Sequence, residues 1–415
     1  MSTAPSTTIV GAGVVGLACA AHLQRRGHAV TLVDPEPPGS QCSSGNAGML
    51  SRASCVPVGL PGTAHKVPGW LLDPAGPLVI RPSYLPAIAP WLWRFWRSTS
   101  LPRVQQIASA LHVLLDPTVV KWRVLADWAG VPDLVRQEGY AIAYRSAQAF
   151  AGDELGRRLR RERGVRIDVL EGRAVREFDP ALSPAITHLA VLPEQGHVAN
   201  PLRLSQALAA RLEAGGARFV RARVRGFDVV DGRVRRVLTD ADPVETAAVV
   251  VAAGARSKPL AAGLGANVPL ETERGYHVML GRPTVLPRIP VCDGGAKWFT
   301  TPMEDGLRVA GTVELAGLDA APDWRRADHM LEGIRRLLPG LAFDTVERWM
   351  GHRPSLPDSL PVIGRAPRAS NAFFAFGHGH VGLSGGAPTG EIIAALVAGE
   401  RPHVDPAPYD AARFA

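Results

Sequence analysis

The feature that most constrains this chain is a glycine-rich turn close to its N-terminus. Gly11, Gly13 and Gly16 follow a short β-branched stretch at residues 7–10 and lead into an apolar stretch at residues 14–25. The pattern predicts a strand, a tight turn and a helix, as at the start of a dinucleotide-binding domain. Gly11 permits the turn, Gly13 lets the backbone approach a pyrophosphate, and Gly16 lets helix and strand pack closely. The helix N-terminus then offers N–H groups and a positive dipole end to the phosphates.

A second strand and an acidic residue complete this unit. Residues 29–33 are apolar and β-branched, and Asp34 follows them at the spacing where an acid binds ribose hydroxyls. An acid there disfavours a 2′-phosphate and so argues against NADP. Further segments of the same domain return after about residue 195 and again near the C-terminus. An NAD dehydrogenase is not interrupted in this way, so the interruption favours FAD.

The predicted fold class is therefore α/β with two domains. The first is a discontinuous, Rossmann-like FAD-binding domain, and the second is a substrate domain with a mixed or antiparallel sheet and helices. The predicted boundaries are 1–70, 195–265 and 345–415 for the first domain, and 71–194 and 266–344 for the second.

The charge pattern bears on which partners the chain is expected to bind. The chain has 46 Lys and Arg against 38 Asp and Glu, a formal net charge of +8. Arginine runs at residues 157–163 and 221–225 are typical of solvated faces, and no basic block alternates with aromatic residues. Nucleic acid is therefore not an expected partner. The positive charge suits anionic substrates or an anionic membrane surface.

Cysteine usage and hydropathy predict the compartment. The four cysteines show no CxxC spacing and no Cys/His pairing, which predicts a reducing compartment and no metal site. The first strand begins too early to leave room for a signal peptide, and no apolar stretch reaches the ~20 residues of a spanning helix. The expected location is cytoplasmic, with peripheral contact on the inner face of the cell membrane as an option.

That option rests on a Trp-rich segment. Residues 90–97 contain Trp91, Trp93 and Trp96 together with one phenylalanine and two arginines. Aromatic and basic residues combine in this way on helices that lie at a membrane surface. Apolar residues also surround the segment, which fits burial in the core or a subunit contact. Both interpretations remain open.

Three further blocks suit a cofactor site. Residues 42–48 are small or polar, as expected of a loop that lies flat against a ring system. Residues 251–257 end a buried strand with small side chains, which lets the backbone approach a cofactor. Residues 351–364 are rich in Gly and Pro, and the glycine loop at 375–384 precedes a helix predicted at 388–398.

Together these residues resemble the D-amino-acid oxidase-like family of FAD flavoproteins, and within it the bacterial D-amino-acid dehydrogenases of the small-subunit type. The match rests on the N-terminal glycines, residues 43–48, the Trp-rich segment, residues 253–254, Arg274-Gly275-Tyr276, residues 353–364 and residues 377–382.

The resemblance implies FAD, held non-covalently because no Cys or His stands where relatives attach the flavin. The implied cofactor residues are Gly11, Gly13, Val14, Val15, Gly16, Asp34, Cys42, Ser43, Ser44, Asn46, Ala47, Gly48, Met49, Val224, Ala253, Gly254, His378, Gly379, His380, Val381, Gly382, Leu383 and Ser384.

It also implies four substrate-binding residues. Arg353 matches the family's carboxylate-binding arginine, and a guanidinium pairs bidentately with a carboxylate. A structural arginine in a Pro-bounded loop is the alternative. Tyr276 is either a second carboxylate ligand or a buried strand tyrosine. Trp298 stands where relatives commonly have a tyrosine over the substrate. His380 stands where some relatives have a second arginine, and it either contacts the substrate, contacts the flavin or caps the loop.

The expected reaction is oxidation of a D-amino acid, including cyclic imino acids such as D-proline or D-hydroxyproline derivatives, by hydride transfer from Cα to flavin N5. No side chain acts as a covalent catalyst, and a quinone, a dye or oxygen accepts the electrons. Oxidation of a 2-hydroxy acid or another C–O substrate is one alternative. An FAD-binding protein that modifies tRNA or assembles with other subunits is another.

Overall fold

The N-terminus forms the predicted βαβ unit. Strand β1 (Ser6–Val10) leads through the glycine turn into helix α1 (Val14–Arg25), and strand β2 (Ala29–Val33) pairs with β1 in parallel. Gly11 has a φ of +110°, a backbone conformation that favours glycine. The sequence pattern therefore predicted both the elements and the reason for the turn.

A computed structural model describes residues 5–62, 76 and 78–415. After α1, the helices in this part of the chain are α2 (Leu85–Ser98), α3 (Leu101–Leu115), α4 (Thr118–Trp128), α5 (Ala147–Gly152), α6 (Glu154–Arg161), α7 (Arg173–Phe178), α8 (Pro201–Ala214), α9 (Ser257–Gly263), α10 (Arg325–Leu337) and α11 (Gly382–Val397).

The remaining strands are β3 (Met49–Leu50), β4 (Leu78–Ile80), β5 (Val135–Arg136), β6 (Tyr140–Tyr144), β7 (Asp168–Glu171), β8 (His188–Leu192), β9 (Gly196–Val198), β10 (Arg218–Val220), β11 (Val224–Val230), β12 (Arg233–Thr239), β13 (Val244–Glu245), β14 (Ala248–Val251), β15 (Glu271–Gly281), β16 (Val291–Asp293), β17 (Phe299–Met303), β18 (Gly306–Leu315), β19 (Thr345–Ser355), β20 (Val362–Ala366) and β21 (Ala369–Phe376).

The first large sheet is doubly wound. Its six strands run in the order β10-β2-β1-β14-β21-β20, and all neighbouring pairs are parallel except the antiparallel pair of β20 and β21. Helices α1 and α11 pack on one face so closely that a Cβ on Gly390 would lie 2.7 Å from the carbonyl carbon of Ala18. Small residues at this crossing let the two helices approach.

The second large sheet is mixed, as predicted. It follows the order β19-β15-β18-β17-β16-β6-β8-β7, and β4 pairs with β18. Helix α10 covers one face and, with Tyr276, Trp298 and Met330, forms a separate hydrophobic core. The other face contributes to a large cavity, described below.

Several elements differ from the predicted ones. The predicted helix at 388–398 begins six residues earlier, at Gly382, and contains Pro388. Residues 351–355, predicted only as part of a Gly- and Pro-rich block, belong to β19. Because β19 pairs along its whole length with β15, its residues 345–355 join the second sheet rather than the first. We therefore propose the predicted two-domain division with β19 assigned to the substrate domain.

The Trp-rich segment forms α2, whose two faces differ. Trp91 is 6% exposed and stacks on Phe95, whereas Trp93 and Trp96 are 58% and 50% exposed and contact each other. The face with Trp91 fits the interpretation as a buried helix, and the exposed face with Trp93 and Trp96 leaves the membrane-surface interpretation open. None of the helices in the described ranges combines the length and the apolar character that crossing a bilayer requires.

Candidate functional site

A cavity of about 1230 Å³ has walls from both large sheets. It extends from the β1–α1 turn and Asp34, past the loop at residues 42–49, to β15, β18 and β19. Ligand pockets for small molecules usually measure about 300–1,000 Å³, so this volume suits a dinucleotide together with a second ligand.

The glycine turn forms one end of the cavity. A Cβ on Gly11 would lie 2.4 Å from the carbonyl oxygen of Ala252, and one on Gly16 would lie 2.0 Å from the carbonyl oxygen of Gly11. Only glycine fits at these two positions. A Cβ on Gly13 would meet only the Ser43 hydroxyl, at 3.2 Å, and Ser43 Oγ accepts the N–H of Val14 at 2.9 Å. One N–H of the first helical turn is therefore already satisfied by the chain.

Asp34 is held by backbone amides. One carboxylate oxygen accepts the N–H of Ala12 at 2.8 Å and the other that of Glu36 at 2.9 Å. Burial raises the pKa of Asp34, although both hydrogen bonds oppose the rise. The carboxylate lines the cavity and is oriented before any ligand binds.

The loop at residues 42–48 is fixed to the second sheet. Arg308 Nη1 donates to the carbonyl oxygens of Ser44 and Asn46, at 2.8 and 2.7 Å. Thr301 donates to Ala47 O at 2.9 Å, and His277 Nδ1 lies 3.0 Å from the carbonyl oxygen of Gly45. The loop is thus positioned by side chains from β15, β17 and β18, far away in sequence.

Trp349 adds an aromatic wall that sequence reasoning missed. Its ring stacks on His277 with 4.9 Å between centroids and lies where a Cβ on Gly45 would be, 2.4 Å away. Trp349 lines the cavity beside the loop. If residues 345–355 had been predicted as a strand, Trp349 would have been expected in the site, because residues four apart in a strand project from the same face as Arg353.

The glycine loop after β21 forms the opposite wall. His378 is fully enclosed, with its Nε2 2.9 Å from Thr389 Oγ1, and burial lowers its pKa to about 3. Burial, with a smaller contribution from Arg353, lowers the pKa of His380 to about 4. Both imidazoles are therefore neutral near pH 7. Ser384 donates to Met49 O and accepts the N–H of Ser51, which joins the start of α11 to the cofactor loop.

Arg353 lies in the cavity without an acidic partner. Its guanidinium crosses over Gly275 and donates to the carbonyl oxygens of Thr312 at 2.8 Å and Gly311 at 3.3 Å. Among the described residues no carboxylate lies within 4 Å of it, whereas many other arginines of this chain form ion pairs. Burial raises the pKa of the neighbouring Cys42 thiol, so no thiolate balances this charge at neutral pH. The fork is thus held in place with donors left for an anion.

Two of the predicted substrate residues do not line the cavity. Tyr276 donates to Glu314 at 2.5 Å and accepts the N–H of Asp323 on the opposite face of β15, which is the second of the two interpretations given for it. Trp298 packs in the same core, against Gly311 and Gly333. The alternation of side chains along a strand explains the position of Tyr276, since Gly275 faces the cavity and its neighbour must face away.

Most of the predicted cofactor residues line this one cavity, as do Arg353 and His380. Four do not, and each has a local role or a place in the core: Gly16 at the helix–turn contact, Ser44 bonded to Ser40 O, Gly48 with a φ of +76°, and Val381 in the hydrophobic core.

The arginine run at 157–163 is not a solvated face throughout. Arg157 is 2% exposed and lies over the ring of Phe150, and Arg160 lines the cavity. Other lining residues that the sequence did not indicate are Glu273, Lys297, Phe299, Thr312 and His352. Their positions depend on strand register and on packing between distant segments.

The residues present fit FAD. A side chain on Gly13 would project beside Ser43 into the cavity, at the place where the backbone would approach a pyrophosphate, and the same cavity extends to Arg353. Asp34 would bind the ribose, and the loop at 42–49 and the turn at 378–384 would flank the ring system.

Comparison with known proteins agrees with this geometry. A family model described as FAD dependent oxidoreductase (DAO) matches residues 6–396. The chain is 44% identical over 413 residues to a D-amino-acid oxidase of Bradyrhizobium diazoefficiens, covering 98% of both chains. It is 30% identical to a D-amino acid dehydrogenase of Rhizobium johnstonii, covering 96% of this chain and 97% of that one. The solved structure of glycine oxidase from Bacillus cereus matches with a TM-score of 0.72 at 21% identity, covering 96% of both chains.

Proposed function

The chain belongs to the DAO family of FAD-dependent oxidoreductases, and on that premise we propose that it oxidises the Cα–N bond of a D-amino acid. The relatives named D-amino-acid oxidase and D-amino acid dehydrogenase support the substrate class and the enantiomer. Cyclic imino acids such as D-proline and D-hydroxyproline derivatives belong to the proposed substrate range.

The observation that carries the proposal is the unpaired guanidinium of Arg353. Arg353 is partly buried and has no carboxylate of a described residue within 4 Å, and a cation in such a position gains from an anion that binds to it. Its two hydrogen bonds go to the backbone of β18, so its orientation does not depend on the ligand. An α-carboxylate would bind the free side of the fork, and Cα would then be held at a fixed distance and angle in the cavity.

The protein's own contribution is binding and orientation. Bound FAD supplies the two-electron acceptor. Arg353 positions the carboxylate, Trp349 and Phe299 enclose the substrate side of the cavity, and neutral His380 adds no further positive charge. A primary amine is released as an imine that water hydrolyses to a 2-oxo acid and ammonia, whereas a cyclic substrate is released as a pyrroline. A quinone, a dye or oxygen then reoxidises the enzyme.

The test is anaerobic reduction of the bound flavin, followed by loss of its visible absorbance. The panel contains D- and L-amino acids, D-proline and hydroxyproline isomers, and D- and L-2-hydroxy acids. We expect rapid bleaching with the D-amino acids, including D-proline and D-hydroxyproline, and no rapid bleaching with the L-amino acids or the 2-hydroxy acids. Bleaching by hydroxy acids and not by amino acids would overturn the proposal in favour of C–O oxidation. Flavin that no panel member reduces would overturn it in favour of a non-catalytic role.

The role of Arg353 is tested by Arg353→Lys. Lysine keeps the charge but lacks the bidentate fork, so we expect flavin to stay bound while kcat/KM falls on the order of 10²-fold, roughly 3 kcal/mol of transition-state binding. Arg348→Lys on the same strand is the control, because Arg348 pairs with Asp328 at the surface. Parent-like activity of Arg353→Lys would show that another group binds the carboxylate.

For the outer face of α2 we propose contact with an anionic membrane surface. Trp93 and Trp96 are exposed, and Arg94 and Arg97 beside them form no ion pair with any described residue. No Asp or Glu occurs from residue 74 to residue 115, so nothing acidic in this stretch opposes the attraction. The inner face, through Trp91 and other residues, lines the cavity. The geometry suits an electron acceptor that is dissolved in the membrane.

Sedimentation with vesicles tests this contact. The holoenzyme should co-sediment with phosphatidylglycerol vesicles, less at high salt, and not with phosphatidylcholine vesicles. Trp93→Ser combined with Trp96→Ser should abolish binding and leave the flavin spectrum unchanged. Trp324→Ser, which alters a 39% exposed tryptophan outside α2, is the control. Equal binding of the double variant would refute the proposed surface.

A further inference from the structure

The carboxylate of Glu273 lies near Arg353, and the proposed reaction has so far given it no role. Glu273 stands directly opposite Arg353 in the antiparallel pairing of β15 and β19. Residues that are directly opposite project from the same face of a sheet, and both line the cavity. The guanidinium of Arg353 turns away along that face to cover Gly275, so the two charges do not form an ion pair within 4 Å. Both charged residues therefore lie on the cavity wall without neutralising each other by direct contact.

The Glu273 carboxylate is incompletely satisfied. Ser355 Oγ donates to its Oε1 at 2.8 Å, and among the described residues no other donor reaches it. Glu273 is only 6% exposed, and the part of it that is not buried faces the cavity. A buried carboxylate with one neutral donor gains from any cation placed beside it.

Among the described residues that line the cavity, Glu273 is also the only carboxylate contributed by β15, β18 or β19. Among the described lining residues there are four carboxylates: Asp34 and Glu36 at the glycine-turn end, Asp153 near Arg160, and Glu273. Arg353 and Glu273 therefore present one positive and one negative group on the same wall. A zwitterionic amino acid carries the complementary pair, a carboxylate and an ammonium on one carbon.

We propose that Glu273 binds the ammonium group of the substrate whose carboxylate binds Arg353, and accepts its proton before oxidation. The inference rests on the proposed function. One N–H bond of the ammonium breaks, its electron pair stays on nitrogen, and the proton forms an O–H bond with the Glu273 carboxylate. The neutral amine is the form that can lose two electrons from the Cα–N unit. A 2-hydroxy acid brings no positive charge to Glu273, so the charge complementarity of this wall favours an amino acid over a hydroxy acid.

The surroundings suit this role. Burial raises the pKa of Glu273, against smaller opposing effects of the Ser355 hydrogen bond and the charge of Arg353, and a raised pKa makes it a better proton acceptor. The other titratable groups on the nearby wall are Cys42, His352 and His380. Burial keeps the two imidazoles neutral and the thiol protonated at neutral pH. Glu273 is therefore the group on the wall formed by β15, β18 and β19 that changes charge when it accepts a proton.

The experiment compares Glu273→Gln with Glu271→Gln in the holoenzyme. The amide introduced by Glu273→Gln retains the size and the hydrogen bond to Ser355 but cannot accept a proton. Glu271 lies two residues away on the same strand, bonded to Tyr84 and Lys258. The rate of anaerobic flavin reduction by D-alanine is measured from about pH 6 to pH 10. We expect Glu273→Gln to be slower by about 10²-fold or more at neutral pH and to recover as the free amine becomes the main solution species. Glu271→Gln should match the parent.

A second variant keeps the test valid if Glu273→Gln fails to fold. Ser355→Ala removes the one donor to the carboxylate, which raises its pKa further, so the pH profile of flavin reduction should move to higher pH. An unchanged profile in Ser355→Ala or a parent-like profile in Glu273→Gln would overturn the inference. If no D-amino acid reduces the parent's flavin, the proposed function fails first and this inference with it.

Binding of a carboxylate without an amine separates this role from a structural one. Propanoate is titrated against the oxidised holoenzyme, and its Kd is read from the flavin spectrum. Since Glu273→Gln removes a negative charge beside Arg353, the Kd of propanoate should stay equal or fall while turnover of D-alanine collapses. A parallel loss of propanoate binding would show that Glu273 only supports Arg353, and would refute the role in amine binding.

Discussion

Gly275→Ala is the substitution whose effect follows most directly from the geometry of the site. A Cβ on residue 275 would lie 2.2 Å from Cζ of Arg353, whereas ordinary van der Waals contact begins at 3.4 Å. The guanidinium would have to move by about 1.2 Å, the difference between these two distances. It is the far end of a flexible side chain, so it can move without unfolding the sheet. The fold should survive while the position of the carboxylate changes.

The functional cost can be estimated from that displacement. A misplacement of about 1 Å can reduce a rate on the order of 10²-fold, equivalent to roughly 2.7 kcal/mol of activation free energy. We therefore expect kcat/KM for a D-amino acid to fall by about this factor, with FAD still bound. The assay is anaerobic flavin reduction by stopped flow, together with the melting temperature. Gly226→Ala is the control, because a Cβ on this strand glycine would meet nothing within 4 Å.

Two results would refute this reasoning. Parent-like reduction kinetics in Gly275→Ala would show that the guanidinium position does not matter for catalysis. A lowered melting temperature with unchanged kinetics would show that the backbone yields instead, at the roughly 1–3 kcal/mol cost of overpacking. A double variant provides an internal check. In an Arg353→Lys background the Gly275→Ala effect should shrink, because the group it displaces is gone.

Three further predictions concern the cofactor and the fold. Gly13→Val should leave a folded but colourless protein, because its side chain would project beside Ser43 into the space of the pyrophosphate; retention of FAD would contradict the assignment of this turn. Acid precipitation of the holoenzyme should release the flavin into the supernatant, and yellow colour in the pellet would disprove non-covalent binding. Buried His378 has a pKa of about 3 when folded and near 6.5 when unfolded, so the unfolded chain binds more protons below pH 6.5. The melting temperature should therefore fall from about pH 7 to about pH 5, and less steeply in His378→Gln; an equally steep fall in that variant would contradict the prediction.

The dinucleotide-binding half of the protein could be predicted from the sequence, because the residues that determine it are close together in the chain. Gly11, Gly13 and Asp34 act within one βαβ unit, where a turn that needs positive φ and a helix that needs an N-terminus lie next to each other in the chain. The small-residue loop at 42–48 and the glycines after β21 carry a similar local signal. Resemblance to a family added Arg353, which the structure places in the same cavity.

The substrate side of the cavity could be predicted only in part from the sequence, because its residues are brought together by strand register. The sequence placed Tyr276 beside Gly275 but could not show that Gly275 faces the cavity, which turns Tyr276 into the core. Residues 345–355 contain Gly and Pro and were not predicted as a strand, so the shared face of Trp349 and Arg353 stayed hidden. The two faces of α2 also required the structure, since both fit one amphipathic pattern.

The sequence by itself thus determined the family, the cofactor fold and the residues whose roles depend on neighbours along the chain. Tertiary structure alone decided that Glu273 stands opposite Arg353, because the long stretch of chain between them had to return β19 to β15 in one particular register. A shift of that register by one residue would place Arg353 on the other face, away from the cavity. Backbone conformation is encoded locally, whereas the charges that meet across a binding site are set by how distant strands pair.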